Sequence, residues 1–314
     1  MKKIVILLLL ILVISAICFI HLTQQKTITI KGPFLKVYSQ LVNADDWEKW
    51  RPDLRKIRLT DSNKIFVQKS SNSFLISHAD LKLNVKLAGN SVNITEQNNS
   101  KINNYTYTLL PGKLLDKTII TVEKKTNIIN YLIGKIKPAS FSDTYIGDFK
   151  NFMETDSLYY GCRIFKTRVP GSNLIVITKA VLTKNKFAEA SKMLYSLQQY
   201  VKTNNIKQIQ PLIAQFTPID KDSTQDKVGF FIDKEVKSVG DIYFVRMPKN
   251  GPIYASKFYG EFYKRRKIYT GLKQYFSDHL YELAILPFET YLDNKLPVSD
   301  TDKIKIQVNF CTFF

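Results

Sequence analysis

Histidine and cysteine are scarce in this chain, with three of each in 314 residues. His21, His78 and His279 lie far apart, and there is no C-x-x-C or H-x-x-x-H, so a structural or catalytic zinc site is excluded and no metal is expected. Cys18 falls in an apolar run; Cys162 and Cys311 stand at opposite ends of the C-terminal half. That leaves either a pair, if the first and last strands are neighbours, or two buried thiols. G-x-S-x-G, the P-loop and G-x-G-x-x-G are all missing, so the common routes to acyl transfer, nucleotide hydrolysis and dinucleotide binding are closed and no cofactor is implied. Glycine is sparse as well, with none between Gly32 and Gly89.

Aromatic residues are plentiful: 20 Phe and 17 Tyr, with 45% hydrophobic content, exclude a disordered chain and allow two separate cores. The formal charge of +19 raises nucleic acid or an anionic surface as partners. Its distribution argues against nucleic acid. Basic residues outnumber acidic ones by 20 to 13 over 26–160 and by 24 to 14 over 161–314, so the excess is spread along the chain. The one local cluster, Tyr263-Lys264-Arg265-Arg266-Lys267, reads on a helix as a solvated face.

Ile4 to Ile20 is an unbroken apolar run behind Lys2 and Lys3, near the shortest length that spans a bilayer as a helix. Ile14-Ser15-Ala16 is a poor cleavage site for a signal peptide. Residues 1–25 are therefore expected to be a single-pass membrane anchor. Lys2 and Lys3 place the soluble body on the outer side of the cytoplasmic membrane.

Residues 26–160 read as a strand, a short helix, several strands and a final helix. Thr27-Ile28-Thr29-Ile30 alternates; Pro33 then opens a stretch in which Phe34, Val37, Tyr38 and Leu41 share one face. Period-two runs such as Leu81 to Leu87 and Tyr105 to Leu109 follow, and Phe141, Tyr145, Phe149 and Phe152 recur at helical spacing. The strand leading into Gly32-Pro33-Phe34, the segment Trp47-Glu48-Lys49-Trp50-Arg51-Pro52, and Asp148-Phe149-Lys150-Asn151-Phe152-Met153-Glu154 resemble the SRPBCC superfamily, the START-like helix-grip fold. The resemblance implies a curved antiparallel sheet gripping a long helix, often around an apolar cavity. Here Trp47 and Trp50 are expected to be packing anchors.

Residues 161–314 contain an internal repeat at an offset of 76. Pro211-Leu212-Ile213-Ala214-Gln215-Phe216 aligns with Pro287-Phe288-Glu289-Thr290-Tyr291-Leu292, Asp226-Lys227-Val228 with Asp302-Lys303-Ile304, Lys186-Phe187 with Phe262-Tyr263, and Ile177-Thr178 with Ile253-Tyr254. Each copy reads strand, helix, strand, strand, and at the matched position one copy carries Ile213 and the other Glu289. Lys257-Phe258-Tyr259-Gly260, Tyr269, Leu272 and Phe288-Glu289-Thr290-Tyr291-Leu292 resemble the GyrI-like domain, also found as the effector-binding half of AraC-type regulators. No helix-turn-helix precedes it, so a transcription regulator is not expected.

The expected fold class is thus α+β: an N-terminal transmembrane helix, a helix-grip sheet domain at 26–160 and a duplicated βαββ domain at 161–314. The second resemblance implies a pocket between the repeats in which Glu289 meets a cationic or polar ligand. Glu289 and Tyr291 share one face of their strand. A carboxylate among aromatics is costly to keep charged without a compensating cation, which favours a flat, apolar, positively charged guest. Tyr254, Tyr259, Tyr263 and Tyr269 are candidate walls for it. The expectation is a small-molecule-binding protein whose partners are a small hydrophobic or cationic molecule and the membrane. The alternative is a hydrolase with Glu289 as general base, for which no second catalytic group stands out.

Overall fold

Alternating runs become strands and amphipathic runs become helices in two units, 1–159 and 160–314. The computed structural model describes residues 21–60, 65–99, 101–113, 116–127, 144–209, 211–248 and 250–313. Of the expected anchor, 1–25, residues 1–20 lie outside them, as does Phe141, and residues 21–25 belong to a sheet strand and not to a helix. Among the described residues no helix is long and apolar enough to cross a membrane. The protein is α+β, with two antiparallel sheets of seven and eight strands.

In the first unit, β1 (His21–Lys31) is followed by α1 (Phe34–Val42), α2 (Trp47–Trp50) and α3 (Pro52–Thr60). Next come β2 (Phe66–Lys69), β3 (Ser73–His78), β4 (Leu81–Ala88), β5 (Ser91–Asn98), β6 (Lys101–Pro111) and β7 (Lys117–Asn127). The helices α4 (Ile146–Glu154) and α5 (Asp156–Tyr159) close the unit. The sheet order β1-β7-β6-β5-β4-β3-β2 is a meander with β1 returned to its far edge. Its tight hairpins turn at left-handed residues, Ala79 and Gly89, which match the strand twist. Pro33 precedes α1 with its φ already near helical, and Val37 and Leu41 then face inward.

Trp47 and Trp50 are fully buried with ring centroids 4.9 Å apart, Trp50 lies edge-on to Phe149, and Trp47 donates its indole N–H to the Leu41 carbonyl. Among the described residues these large side chains occupy the interior, and a small pocket of about 60 Å³ opens beside Leu54 and Ile76. Arg51, 2% exposed, is held by both Asp53 oxygens and by Glu96 at 3.1 Å, with its guanidinium 4.3 Å from the Tyr145 ring centre. Burial works against its charge, but the two carboxylates outweigh burial and raise its pKa.

In the second unit, β8 (Phe165–Arg168) precedes the first copy: β9 (Asn173–Leu182), α6 (Lys186–Thr203), β10 (Ile213–Pro218) and β11 (Ser223–Phe231). After β12 (Tyr243–Arg246), the second copy runs through β13 (Pro252–Glu261), α7 (Arg266–Asp278), β14 (Phe288–Tyr291) and β15 (Lys303–Cys311). The order β12-β9-β11-β10-β14-β15-β13-β8 reads the same from either end, which is a pseudo-twofold arrangement about the β10–β14 seam. That seam is two residue pairs, Ile213 with Thr290 and Ala214 with Glu289. Cross-strand partners share a face, so β10 and β14 correspond as strands, but Ile213 lies with Thr290 and Ala214 with Glu289; Ile213 and Glu289 point to opposite faces, which corrects the matched position read from the sequence, and the residue that shares the face of Glu289 is Ala214.

The offset is not constant, which corrects the alignment of the outer strands. From the face-matched pair Ala214 and Glu289, an offset of 75, Val228 pairs with Ala214 as Val308 pairs with Glu289, an offset of 80. Ile177 pairs with Val228 as Ser256 pairs with Val308, an offset of 79 for the first strand. The second copy is shorter between its first two strands and longer in the turn before its last. Asp226 therefore matches Ile306 and not Asp302. Cys162 and Cys311 are both buried thiols, and burial pushes Cys311 up to about 12.

Gly271 lies inside α7, where a Cβ would stand 2.3 Å from the Tyr160 carbonyl oxygen and 2.9 Å from the Cys162 sulfur. Gly→Ala in a helix ordinarily gains about 1 kcal/mol. Here overpacking reverses the sign, and Gly271→Ala should lower stability by about 1–3 kcal/mol in urea unfolding. A variant as stable as the parent would show that the segment at Tyr160 yields without cost.

Candidate ligand site around Glu289

Glu289 is fully buried in β14, on the sheet face that meets α7. Its Oε1 accepts from Arg265 Nε at 2.5 Å and from the Tyr269 hydroxyl at 2.9 Å; its Oε2 accepts from the Tyr291 hydroxyl at 2.7 Å. Strand period brings Tyr291 to the same face and helix geometry brings Tyr269 over it. Burial, then the adjacent Glu289 charge, hold both phenols well above their usual range, so they act as fixed neutral donors.

The cation is the chain's own. Arg265 stands in the short 3₁₀ turn Phe262–Arg265 before α7, with its guanidinium carbon 3.3 Å from the centre of the Phe262 ring and one N–H donated to the Phe262 carbonyl. Its side chain is 12% exposed against 1% for Glu289, so it closes the site at the solvent side. Phe262 packs edge-on against Phe187 and Phe216, so the ring under the guanidinium is itself held in a cluster of three.

Of the residues named from the sequence, Glu289, Tyr291 and Tyr269 meet. Tyr254 does not join them. It stacks on Tyr281, donates its hydroxyl to Tyr281's at 3.0 Å, and lines an open cleft of about 710 Å³ with Lys166 and Glu282. Tyr259 is 67% exposed and Tyr263 47% exposed, each beside a lysine. Arg265 was hidden in a basic run that reads as solvated. Its neighbours explain the misreading: Lys264 pairs outward with Glu261, while Arg265 alone turns in.

Asp226 is a second buried carboxylate on this unit, 0% exposed in β11, and neither oxygen has a hydrogen-bond partner among the described residues. Burial pushes it up to about 7; Lys186 favours the charged form and Glu189 opposes it. The Lys186 ammonium is bound to Asp300 at 2.9 Å. Among the described residues no group of three or more His, Cys, Asp or Glu is placed to hold a metal ion.

No family model matches the chain, and no curated protein matches it. Among solved structures it is similar to EcmrR bound to DNA, with 14% identity, 60% of this chain and 78% of that one covered, and a TM-score of 0.39. It is similar to the EcmrR C-terminal domain, with 17% identity, 48% and 96% covered, and a TM-score of 0.38. It is also similar to a START superfamily protein from Mycobacterium smegmatis, with 11% identity, 42% and 97% covered, and a TM-score of 0.31. These are likenesses of fold.

The Asp226 arrangement has a pH signature. Its carboxyl has a folded pKa of about 7 against roughly 3.9 unfolded, so between those values the folded state binds the extra proton. Its contribution to stability therefore falls as pH rises through that window and is flat above it. Urea midpoints of wild type minus Asp226→Asn should decline from pH 4 to pH 7. A pH-independent difference would mean that Asp226 ionises normally.

Proposed function

We propose that the C-terminal unit is a GyrI-like small-molecule-binding domain, carried by a START-like first unit, in which Glu289 recognises a cationic aromatic guest that replaces the Arg265 guanidinium. The supporting observation is a buried carboxylate with two neutral phenols fixed on it and one cation that reaches solvent. The phenols are built into strand and helix; Arg265 sits on a single 3₁₀ turn and is the replaceable partner. A planar cation entering there meets Glu289 and the Phe262 face, the same contacts the guanidinium makes. Tyr259 and Tyr263 are peripheral in this reading. The same proposal keeps the apolar run 4–20 as a membrane anchor, with the body outside the cytoplasmic membrane.

The test is calorimetric titration of cationic dyes against wild type and two variants. Glu289→Gln should weaken dye binding by roughly 1.5–3 kcal/mol, the range for a charge-assisted contact, and leave neutral isosteres nearly unchanged. Arg265→Ala leaves a buried charge unpaired, so it should melt lower than wild type, and a cationic dye should restore the loss and bind on the order of tenfold tighter. Equal dye affinities in all three proteins would remove Glu289 from any ligand site. For the anchor, full-length chain should stay in the membrane pellet after alkaline carbonate, and a chain starting at His21, which keeps β1 whole, should not.

A further inference from the structure

The turn that carries Arg265 has a counterpart in the first copy, Thr183–Asn185 before α6. Thr183 donates its N–H to the Asp222 carbonyl as Phe262 donates to that of Asp302, and Leu182 pairs with Ser223 as Glu261 pairs with Lys303. The first-strand offset of 79 thus continues through the turn and puts Lys186 where the second copy has Arg265. Both cations meet one ring: the Arg265 guanidinium carbon lies 3.3 Å from the Phe262 centre and the Lys186 ammonium 5.6 Å. Each copy also buries a carboxylate on the sheet face that meets the helices. Glu289 pairs with Ala214 and Ala214 with Val228, two residues from Asp226, so the carboxylates share that face at a Cα separation of roughly 12 Å. In the second copy cation and carboxylate have met. In the first they have not: Lys186 is held by both oxygens of Asp300, at 2.9 and 3.2 Å, and neither Asp226 oxygen has a hydrogen-bond partner among the described residues.

We infer that Lys186 is a latch with two positions, on Asp300 or on Asp226, and that its move to Asp226 frees the turn Phe262–Arg265 and so strengthens cation binding at Glu289. This rests on the ligand reading of that site. Asp300 and Asp302 accept from the Tyr263 and Phe262 N–H groups at 3.0 and 2.9 Å, and Lys186 ties that segment to the first copy. A guest that displaces Arg265 works against this brace, and releasing Lys186 removes part of the cost. Ionised Asp226 is what draws Lys186 away. The other charges that face it are committed: cross-strand Lys179 is bound to Asp241 at 2.9 Å, Glu189 of α6 to Lys192 at 2.7 Å, and its β10 partner, Phe216, has no charge. With the Asp226 carboxyl at about 7, Lys186 stays on Asp300 below neutrality and turns to Asp226 above it. Coupling is reciprocal, so a guest favoured by ionised Asp226 must itself promote that ionisation and release a proton.

Ethidium, a planar cation whose charge does not titrate near neutrality, tests this by calorimetry on the full chain at pH 6 and pH 8. Wild-type affinity should rise about threefold to tenfold between them, and binding at pH 7 should release part of a proton, read as unequal heats in phosphate and Tris. Asp226→Asn should keep the weaker affinity at both pH values and release no proton. Asp300→Ala, at an exposed position, should bind at pH 6 as tightly as wild type does at pH 8, because the brace is gone. A wild-type affinity independent of pH, a pH dependence that survives Asp226→Asn, or an Asp300→Ala variant no tighter than wild type at pH 6 would overturn the latch, while Glu289→Gln still weakened the dye. Equal affinity in wild type and Glu289→Gln would remove the ligand site first, and the latch with it.

Discussion

A short strand seam sets the register between the halves of the second sheet. Ile213 with Thr290 and Ala214 with Glu289 are its strand pairs, backed by the Tyr291 N–H on the Leu212 carbonyl and the Gln215 amide on the Pro287 carbonyl, and the direction of every side chain at the Glu289 site follows from them. The register fixes which side chains of β14 face the helices and which face away. A slip of one residue would exchange Glu289 and Tyr291 with Phe288 and Thr290. The carboxylate would then lose its three donors, and a phenylalanine would meet a guanidinium. Burial on both faces of β14 makes such a slip costly, so a seam this short is still specified.

Much of this was legible in the sequence because periodicity survives translation into structure. The correspondence of the strands that carry Ile213 and Glu289 holds, as does the shared face of Glu289 with Tyr291, but Ile213 turns to the opposite face and Ala214 stands beside Glu289. The outer strands were misaligned because the second copy loses residues before β14 and gains residues after it, and the two changes nearly cancel. Charge was harder to read than pattern. A run of Lys and Arg before a helix looks uniformly solvated, and nothing in the letters says that Arg265 alone turns in over Phe262. Asp226 was similarly invisible: a single acidic residue at a strand start reads as surface, but it enters the sheet under α6 without a partner.

In the first unit large side chains stand where the described strands and helices meet. Trp47, Trp50, Phe149 and Phe152 are buried there, and the Arg51 network with Asp53 and Glu96 adds a buried charge held by carboxylates. Such a network needs all its members, since removing one partner leaves an uncompensated buried ion. A guest placed at the tryptophans would have to displace them, at a cost of several kcal/mol for lost burial. Their part as packing anchors agrees with the lack of glycine in the first strands.

The second unit carries an internal comparison for its own chemistry. At the seam the first-copy residue on the same face as Glu289 is Ala214, buried and uncharged. Packing of the seam therefore does not by itself call for a carboxylate, an arginine and two phenols in the second copy. Nor does stability, because a buried ion pair is often no better than apolar side chains of the same volume and is sometimes worse by about 1–4 kcal/mol. What the polar arrangement has and the alanine lacks is a buried charge held by three donors. Tyr291 is fully buried while Arg265 and Tyr269 are part-exposed, so the exchange proposed at Arg265 would leave the two phenols to hold the carboxylate in place.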